Sequence, residues 1–335
     1  MHATIPNALP RWRGFNLLYF FRSEARTETA QRDLEWIAEW GFDFIRLPMN
    51  YRLWTTPEQP TRRDEAVLSQ LDEVVSRAVE LGLHVNLNLH RAPGYSVNRR
   101  LEEPWTLWRS EEAIEAFCHQ WRHFAQRYAD VRPEAMSFNL LNEPPEPGYF
   151  EMEMGDYQRV MNTAASAIHQ IDPNRRIIID AVRWGRRPSM DTDALPYAQS
   201  CRGYEPAGVT HYQASWVNGE EFDEPRWPGA TGWERRHRWD RDRLEQDFEP
   251  WVEMLKRGIG VHCGEFGCYN RTPHDVALAW MTDLLEILQE RSIGWAMWNF
   301  RGPFGILDSG RDDVDYDDHH DIPLDRAMLE LLQAH

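Results

Sequence analysis

The sequence predicts a single-domain α/β fold, a (β/α)8 TIM barrel that spans residues 1–335. Eight short apolar runs alternate with amphipathic stretches of helical period, and this alternation predicts parallel strand pairing. Eight such units close naturally into a barrel. The rival fold, a doubly wound open sheet, usually carries a Gly-rich phosphate loop after its first strand, and GFNLLYFF at residues 14–21 is not such a loop.

Each predicted strand is a short β-rich run. The runs begin near Gly14 (GFNL), Phe44 (FIRLP), His84 (HVNLNLH), Met136 (MSFNLLNEP), Arg176 (RIIIDAVRWG), Gly208 (GVTHYQ), Gly260 (GVHCGEFG) and Trp295 (WAMWNFRG). In a TIM barrel the carboxyl ends of all strands meet at one face, and that face carries the chemistry. The residues that close each strand are therefore the candidates for a functional site.

The predicted helices show apolar residues at helical spacing. The clearest case is residues 64–81, where one stripe contains Val67, Leu68, Leu71, Val74, Val75 and Ala78. Further helices are predicted at residues 27–40, 111–129, 157–170, 244–257 and 275–291. The segment 188–202, after the fifth predicted strand, is the least regular of the predicted helices.

Composition and charge exclude several classes of partner. The 54 acidic and 37 basic residues give a formal charge of −17, which argues against nucleic acid or an anionic membrane surface and suits a neutral substrate. No run of about 18 apolar residues is present, so a transmembrane helix is not expected. Residues 1–21 lack the pattern of a secretory signal, which predicts a cytoplasmic protein, or a secreted one whose leader has been removed.

The four cysteines are too sparse for a disulfide scaffold in a chain of this length. Cys263 and Cys268, together with His262, could suggest a metal site. No second ligand pair has metal-site spacing, so we favour buried thiols and predict neither a metal nor a cofactor.

The predicted strand ends bring a narrow set of side chains to one mouth. These are Asn16, Arg46, His90, Asn142, Glu143, Trp184, His211, Glu265 and Trp298. The fourth strand ends in NEP and the seventh in GEFG, so Glu143 and Glu265 face each other obliquely across the barrel. Two carboxyls about 5 Å apart are the requirement for double displacement at a sugar anomeric carbon. We therefore predict Glu143 as the acid/base and Glu265 as the nucleophile; the alternative for Glu143 is a capping or surface carboxylate.

The other strand ends suit a sugar-binding site. The amide of Asn142 can hold a sugar 2-hydroxyl, and Arg46 can hold the Glu265 carboxylate. His90 and His211 can donate to sugar hydroxyls or orient the carboxyls, although a lone strand-end histidine is more often structural. The ring of Trp298 can form the floor of the sugar site or belong to the core.

The motifs IRLP, LNLH, LNEP, GVTHY, CGEFG and AMWNF occur in this order, one on each of six predicted strands. Together they resemble the cellulase-type family five of the glycoside hydrolases, over essentially the whole chain from Gly14 past Trp298. The resemblance implies a site formed by Arg46, His90, Asn142, Glu143, His211, Glu265 and Trp298, retention of anomeric configuration and no cofactor. It also implies β-linked glucan or mannan oligosaccharides or polysaccharides as substrates.

The sequence departs from the family on the sixth predicted strand. The family commonly shows His-x-Tyr there, with the tyrosine hydroxyl near the nucleophile, whereas this chain reads His211-Tyr212-Gln213. Strand alternation places Gln213 on the same side as His211. We therefore predict that Gln213 partly substitutes for the tyrosine and hydrogen-bonds Glu265 directly or through a water; the rival is that Tyr212 swings in through a bulge while Gln213 contacts a sugar hydroxyl.

Two loops each allow two interpretations. The Trp-rich loop at residues 214–242 either forms a wall of the sugar site or folds as a surface loop with its own apolar cluster. We predict that Trp216 or Trp227 lines a sugar subsite there, with Trp184 as a further substrate contact. The acidic segment 309–321 is predicted to be a solvated or folded-back loop, in preference to a cation site.

Three functional classes compete. A retaining β-glycosidase is favoured, because both glutamates are present; a carbohydrate-binding barrel that has lost catalysis is the alternative. A metal-dependent hydrolase would need His-x-His near the first strand and further metal ligands, which the sequence lacks.

Overall fold

Residues 8–97 and 102–335 are described in the computed structural model, and they form the predicted barrel. Its strands are β1 Arg13–Asn16, β2 Phe44–Asn50, β3 His84–Ala92, β4 Met136–Asn139, β5 Arg176–Asp180, β6 Ala198–Gly203, β7 Val261–Phe266 and β8 Gly294–Met297. Every neighbouring pair in this order is parallel, and β1 pairs with both β2 and β8, which closes the ring. The predicted fold class is therefore confirmed.

The helices that cover the barrel are those with an amphipathic period. They are α1 Ala30–Glu39, α2 Glu65–Glu80, α3 Glu111–Arg127, α4 Met154–His169, α5 Arg241–Lys256, α6 His274–Glu290 and α7 Arg326–Ala334. Side-chain caps begin α2, α3, α5 and α7; at α2, for example, Asp64 accepts from the Ala66 N–H at 3.0 Å, and at α3 Ser110 accepts from the Ala113 N–H at 3.1 Å. Capping and the buried apolar stripe both follow from local sequence, which explains why α1 to α6 were predictable; α7 was not among the predicted helices.

The prediction for the sixth strand was wrong. The segment 208–213 contains the end of a short helical turn, Ala207–Thr210, followed by a tight turn, and the strand is instead β6, in the segment predicted as an irregular helix. Polar side chains on β6 explain the error. Gln199 is buried and exchanges two hydrogen bonds with the backbone of Ser189, and Arg202 is 4% exposed inside the barrel mouth. Alternation along the strand places Ser200 and Arg202 toward the barrel interior and Gln199 on the opposite face, so neither face of β6 shows an apolar pattern.

The two ends of the barrel interior differ in chemistry. At the amino-terminal end, Trp12 stacks on His84 with ring centroids 3.7 Å apart, and Phe44 lies over His262 at 4.5 Å. At the carboxyl end, buried Arg, Asn, Asp and Glu side chains replace the aromatic packing. The buried polar side chains are therefore concentrated at the carboxyl-terminal face, where TIM barrels carry their active sites.

The cysteines, the clusters of titratable side chains and the lengths of the helices are as follows in the described residues. All four cysteines are buried and free, and no group of three His, Cys, Asp or Glu side chains in residues 8–97 and 102–335 is arranged to hold a metal ion. None of the helices in the same ranges is both long enough and apolar enough to span a membrane.

Candidate active site

Glu265 lies near the carboxyl end of β7 and is 4% exposed. Its Oε1 accepts a hydrogen bond from Arg46 Nη1 at 2.7 Å and lies 3.2 Å from Arg202 Nη2. Its Oε2 accepts from the hydroxyl of Tyr204 at 3.2 Å. Two hydrogen-bond donors, Arg46 and Tyr204, and the ion-pair contact with Arg202 stabilise a negative charge on this carboxylate.

Glu143 lies just beyond β4 and has a left-handed backbone, with φ at +49°. Its N–H donates to Asp180 Oδ2 at 2.9 Å, and its carbonyl oxygen accepts from the Tyr95 hydroxyl at 2.6 Å. A left-handed non-glycine residue costs on the order of 1–3 kcal/mol and persists where its surroundings over-determine it. Here two side chains hold both backbone polar groups, so the position of Glu143 is set by tertiary contacts.

Arg202 connects the two glutamates. It is the strand partner of Glu265 in the register between β6 and β7, and its Nε donates to Glu143 Oε1 at 2.9 Å. Its Nη2, which contacts Glu265, also donates to Asn142 Oδ1 at 3.0 Å and pairs with Asp180. One buried guanidinium therefore contacts both carboxyls.

The electrostatics of the site separate the carboxyls. Burial, followed by the nearby charges of Glu265 and Asp180, raises the pKa of Glu143 to about 7, against an opposing effect of Arg202. Burial also acts to raise the pKa of Asp180, but Arg202 and Arg46 outweigh it and hold that pKa below its ordinary value. Glu143 is therefore protonated over a wider pH range than an ordinary carboxyl, while Asp180 stays ionised.

Two buried polar atoms in this site have no hydrogen-bond partner within the described residues: Nδ2 of Asn142 and Nδ1 of His90. The amide orientation of Asn142 follows from its partners, because Arg46 Nη2 and Arg202 Nη2 both donate to its oxygen. The amide nitrogen is thus a fixed donor without an acceptor. A buried donor of this kind is costly unless a ligand satisfies it.

Aromatic rings surround the polar residues. Trp298 stacks on His90 with centroids 5.4 Å apart, and Phe21 packs edge-on against both. Burial, with Arg46 and Arg202 nearby, lowers the pKa of His90 well below its ordinary value, so its ring is neutral at pH 7. Trp298 is partly exposed, which leaves ring surface open at the mouth.

Trp184 and Trp216 lie farther out on two loops. Trp184 follows β5, contacts Tyr149 edge-on at 6.1 Å and lies beside the Arg186 guanidinium. Trp216 is 54% exposed and contacts Tyr269 edge-on at 4.9 Å. Both rings lie on loops that leave the carboxyl ends of barrel strands.

Comparison with known proteins bears on this geometry. The family model described as Cellulase (glycosyl hydrolase family 5) matches residues 4–302. The chain belongs to that family. It is 26% identical over 308 residues to Endoglucanase C of Acetivibrio thermocellus, covering 84% of this chain and 87% of that one. It is 25% identical over 277 residues to Cellodextrinase A of Ruminococcus flavefaciens, covering 78% and 76%.

A solved glycoside hydrolase is similar over nearly the full length. It is 36% identical, superposes with a TM-score of 0.91, and the match covers 97% of this chain and 99% of that chain. This member of the cellulase family is thus a β-glycoside hydrolase.

Strand β6 corrects the apparent departure from the family. Its last two residues and the residue that follows, Arg202-Gly203-Tyr204, match the spacing of the family's His-x-Tyr, with arginine in the place of histidine. Tyr204 makes the contact with Glu265, so the predicted role of Gln213 was wrong, and so was the rival in which Tyr212 replaces the tyrosine. Gln213 is exposed, with a left-handed backbone in the turn that follows.

His211 also lies away from the predicted strand end. Its ring is buried beside Tyr204, 5.0 Å between centroids, and its Nδ1 is 2.8 Å from Thr210 Oγ1. Burial, with Arg186 nearby, lowers the pKa of His211 to about 3, so it is neutral. His211 therefore packs against the tyrosine that contacts Glu265.

Sequence reasoning missed Asp180, Arg202 and Tyr204. The one available signal was the family's tyrosine spacing, which also fits Arg202-Gly203-Tyr204, but the GVTHYQ segment provided a closer match to the histidine. Of the predicted site residues, Arg46, Asn142, Glu143 and Glu265 form one connected network.

Proposed function

We propose that this enzyme cleaves β-linked glucans by a retaining double displacement, with Glu143 as acid/base and Glu265 as nucleophile. The observation that carries the proposal is that the surroundings of two neighbouring carboxyls favour the ionised form of one and the protonated form of the other. Glu265 is held by Arg46, Arg202 and Tyr204, whereas the pKa of Glu143 is raised to about 7 by burial and nearby negative charge. One carboxylate and one carboxylic acid are what the first step requires.

In the first step, Glu265 attacks the anomeric carbon while Glu143 protonates the departing glycosidic oxygen. The carbon–oxygen bond to the leaving sugar breaks, and an ester between Glu265 and the glycone forms. In the second step, Glu143 accepts a proton from water, which attacks the anomeric carbon and releases Glu265. Two inversions give retention.

The positions of the two carboxyls support retention over inversion. Both contact one edge of a single guanidinium, through Nε and Nη2 of Arg202, which keeps them close together. Retaining enzymes hold their carboxyls about 5–5.5 Å apart, while inverting enzymes need room for a water molecule between carboxyl and sugar.

Sugar recognition is assigned to the unsatisfied polar atoms and the rings. Asn142 Nδ2 is a fixed donor for the sugar 2-hydroxyl, whose hydrogen bond strengthens in the oxocarbenium-like transition state. Trp298 forms the floor beneath the sugar, with His90 Nδ1 available to another hydroxyl. Trp184 and Trp216 are assigned to outer subsites.

A β-glucan substrate class is supported by the relatives, an endoglucanase and a cellodextrinase. A formal charge of −17 also suits a neutral polysaccharide or oligosaccharide. The alternative of a carbohydrate-binding barrel without catalysis is not favoured, because both carboxyls are present with the contacts that the two steps need.

The roles of the glutamates are tested by chemical rescue. Glu265→Ala is expected to lose nearly all activity, and azide is expected to restore turnover of an activated aryl β-glycoside with an α-glycosyl azide as product. Glu143→Ala is expected to lose far less activity on activated than on ordinary glycosides, because good leaving groups need little protonation. Equal losses on both substrate types would overturn the role of Glu143. A series of cello- and manno-oligosaccharides of defined length tests the substrate class.

A further inference from the structure

Arg202 stands where the family commonly has histidine, and it lies inside a buried group of charges. We call this group the ion cluster: Arg46, Glu143, Asp180, Arg202 and Glu265. Arg202 contacts all three carboxyls, and Arg46 contacts Glu265 at 2.7 Å and lies 3.7 Å from Asp180. Four of these side chains are no more than 5% exposed, and Glu143 is 17% exposed.

The charges of the ion cluster balance in the state that starts the reaction. With Glu143 protonated, the cations Arg46 and Arg202 are matched by the anions Asp180 and Glu265. Esterification of Glu265 removes one negative charge, and ionisation of Glu143 restores it. The cluster is thus neutral in both catalytic states, provided that Arg202 stays charged, and neutrality matters because a net charge in a buried site is costly.

The other titratable groups that face the ion cluster stay neutral near pH 7. Burial and the nearby carboxylates raise the pKa of Tyr204 well above its usual value. Burial and the arginines lower the pKa of His90 well below its usual value, and burial, with Arg46 nearby, lowers the pKa of His262 to about 3. None of these groups can therefore take over the charge of Arg202.

We propose that Arg202 is a positioning residue that keeps the ion cluster neutral through both steps, pairing with Glu265 before glycosyl transfer and with Glu143 afterwards. This inference rests on the proposed roles of the two glutamates. The geometry allows the exchange without side-chain movement, because adjacent nitrogens of one guanidinium already contact both carboxyls. Stabilising ionised Glu143 in the glycosyl-enzyme favours its action as the base.

A histidine could not perform this role in the present surroundings. The buried imidazoles nearest the site, His90 and His211, both have a lowered pKa, and each is neutral at pH 7. A guanidinium keeps its charge when buried and offers several donors in one plane.

The chain also provides space for the larger side chain. A Cβ at Gly185 would lie 2.6 Å from Arg202 Cγ, and one at Gly264 would lie 2.3 Å from Ser200 Oγ and 3.1 Å from Arg202 Nη1. The absence of a side chain at Gly185 and at Gly264, on two segments that neighbour β6, leaves room for the side chain of Arg202.

The test removes the charge with Arg202→Gln. The cluster then has one excess negative charge in both catalytic states, so protonated Glu143 is favoured and the second step slows. We expect the alkaline limb of kcat/KM to move to higher pH. With an activated aryl β-glycoside we expect a pre-steady-state burst, a lower KM and a kcat reduced roughly ten- to a hundredfold, as for a lost hydrogen bond to a charged group.

Charge compensation separates this role from a structural one. Asp180→Asn alone makes the cluster more positive and is expected to move the alkaline limb to lower pH. Combining it with Arg202→Gln restores neutrality, so the limb is expected to return toward its original position and the burst to shrink. A double variant with the same limb and burst as Arg202→Gln would overturn the inference.

Arg202→Lys keeps the positive charge, and it is the second test variant in case Arg202→Gln does not fold. Its alkaline limb is expected to stay in place, and a shift of that limb to higher pH would overturn the inference. Azide rescue of Glu265→Ala distinguishes a failure of the proposed function from a failure of the proposed role of Arg202. Without rescue, the proposed function itself fails; with rescue but no effect of charge at position 202, only the role of Arg202 fails.

Discussion

The hydroxyl of Tyr204 donates a hydrogen bond to Oε2 of Glu265 at 3.2 Å, from a residue that directly follows β6. On the opposite oxygen, Arg46 donates at 2.7 Å. The two contacts orient the carboxylate and leave Tyr204 as the neutral donor of the pair, since burial and the neighbouring carboxylates raise its pKa far above neutrality.

Tyr204→Phe is expected to raise the activation free energy of kcat by about 1.5–3 kcal/mol, the typical value of a hydrogen bond to a charged group. The measurement is steady-state kinetics on an aryl β-glycoside. Gln213→Ala and Tyr212→Phe are the matched controls, because Gln213 is exposed and Tyr212 lies in the same turn. If either control lost as much activity as Tyr204→Phe, the assignment of the tyrosine would be wrong.

Asn142→Ala is expected to reduce transition-state stabilisation selectively for substrates that have a 2-hydroxyl. The alanine removes both the acceptor that Arg46 and Arg202 share and the free Nδ2 donor. Comparing an aryl β-glucoside with its 2-deoxy analogue isolates the donor, for which we expect about 1–3 kcal/mol in kcat/KM. An equal loss on both substrates would show that Nδ2 does not contact the 2-hydroxyl.

The alkaline limb of kcat/KM is expected near pH 7 for ordinary glycosides. Burial, followed by Glu265 and Asp180, raises the pKa of Glu143 to about 7, and the acid must be protonated, so activity falls as pH rises through that value. Replacing Glu143 by alanine is expected to abolish the limb for activated substrates. Persistence of the limb in that variant would mean that another group is the acid.

Glu143→Gln is expected to stabilise the fold at alkaline pH. The pKa of Glu143 is about 7 in the folded protein against an ordinary value of 4.5, so the folded state holds its proton where the unfolded chain has released it. Stability from this group is therefore present below about pH 4.5 and is lost as pH rises to about 7, by roughly 3 kcal/mol.

The measurement is the free energy of unfolding in urea at pH 4 and pH 8. We expect the glutamine variant to exceed the wild type at pH 8 and to match it at pH 4. Glu253→Gln, at an exposed position on α5, serves as the control for removing one carboxylate. An advantage of equal size at both pH values would contradict the proposed cause.

Trp216→Ala is expected to weaken turnover of long oligosaccharides more than that of short ones. Its side chain is 54% exposed and contacts Tyr269 edge-on, so the indole ring can stack on a sugar outside the cleavage site. Trp227→Phe is the control, because the Trp227 indole donates to Asp283 on α6 at 2.7 Å and packs against the core. That contact points to a structural role for Trp227, and an unchanged chain-length profile in Trp216→Ala would assign Trp216 to the surface.

Local sequence was sufficient to predict most of the helices and strands of the barrel. The helices have an apolar stripe, and caps such as Asp64 and Ser110 lie within a few residues of the groups they bond. Strands β2 and β3 are buried along almost their whole length, and both were predictable: β2 is mainly apolar (FIRLPMN), and β3 alternates apolar and polar residues (HVNLNLHRA). The failure at β6 came from its buried polar residues. Gln199 bonds Ser189 and Ser200 accepts from Arg202, whereas Arg202 itself reaches Asn142, 60 residues away in the chain.

The sequence by itself determined the fold class, the family resemblance and the two glutamates, because each depends on residue type and spacing along the chain. Only the tertiary structure decided that Tyr204 contacts Glu265 in place of Gln213, and that Arg202 joins the two carboxyls. These contacts depend on the register between β6 and β7, where Arg202 pairs with Glu265 across 63 residues of chain. Strand register is set by packing between segments remote in sequence, so no local pattern reports it.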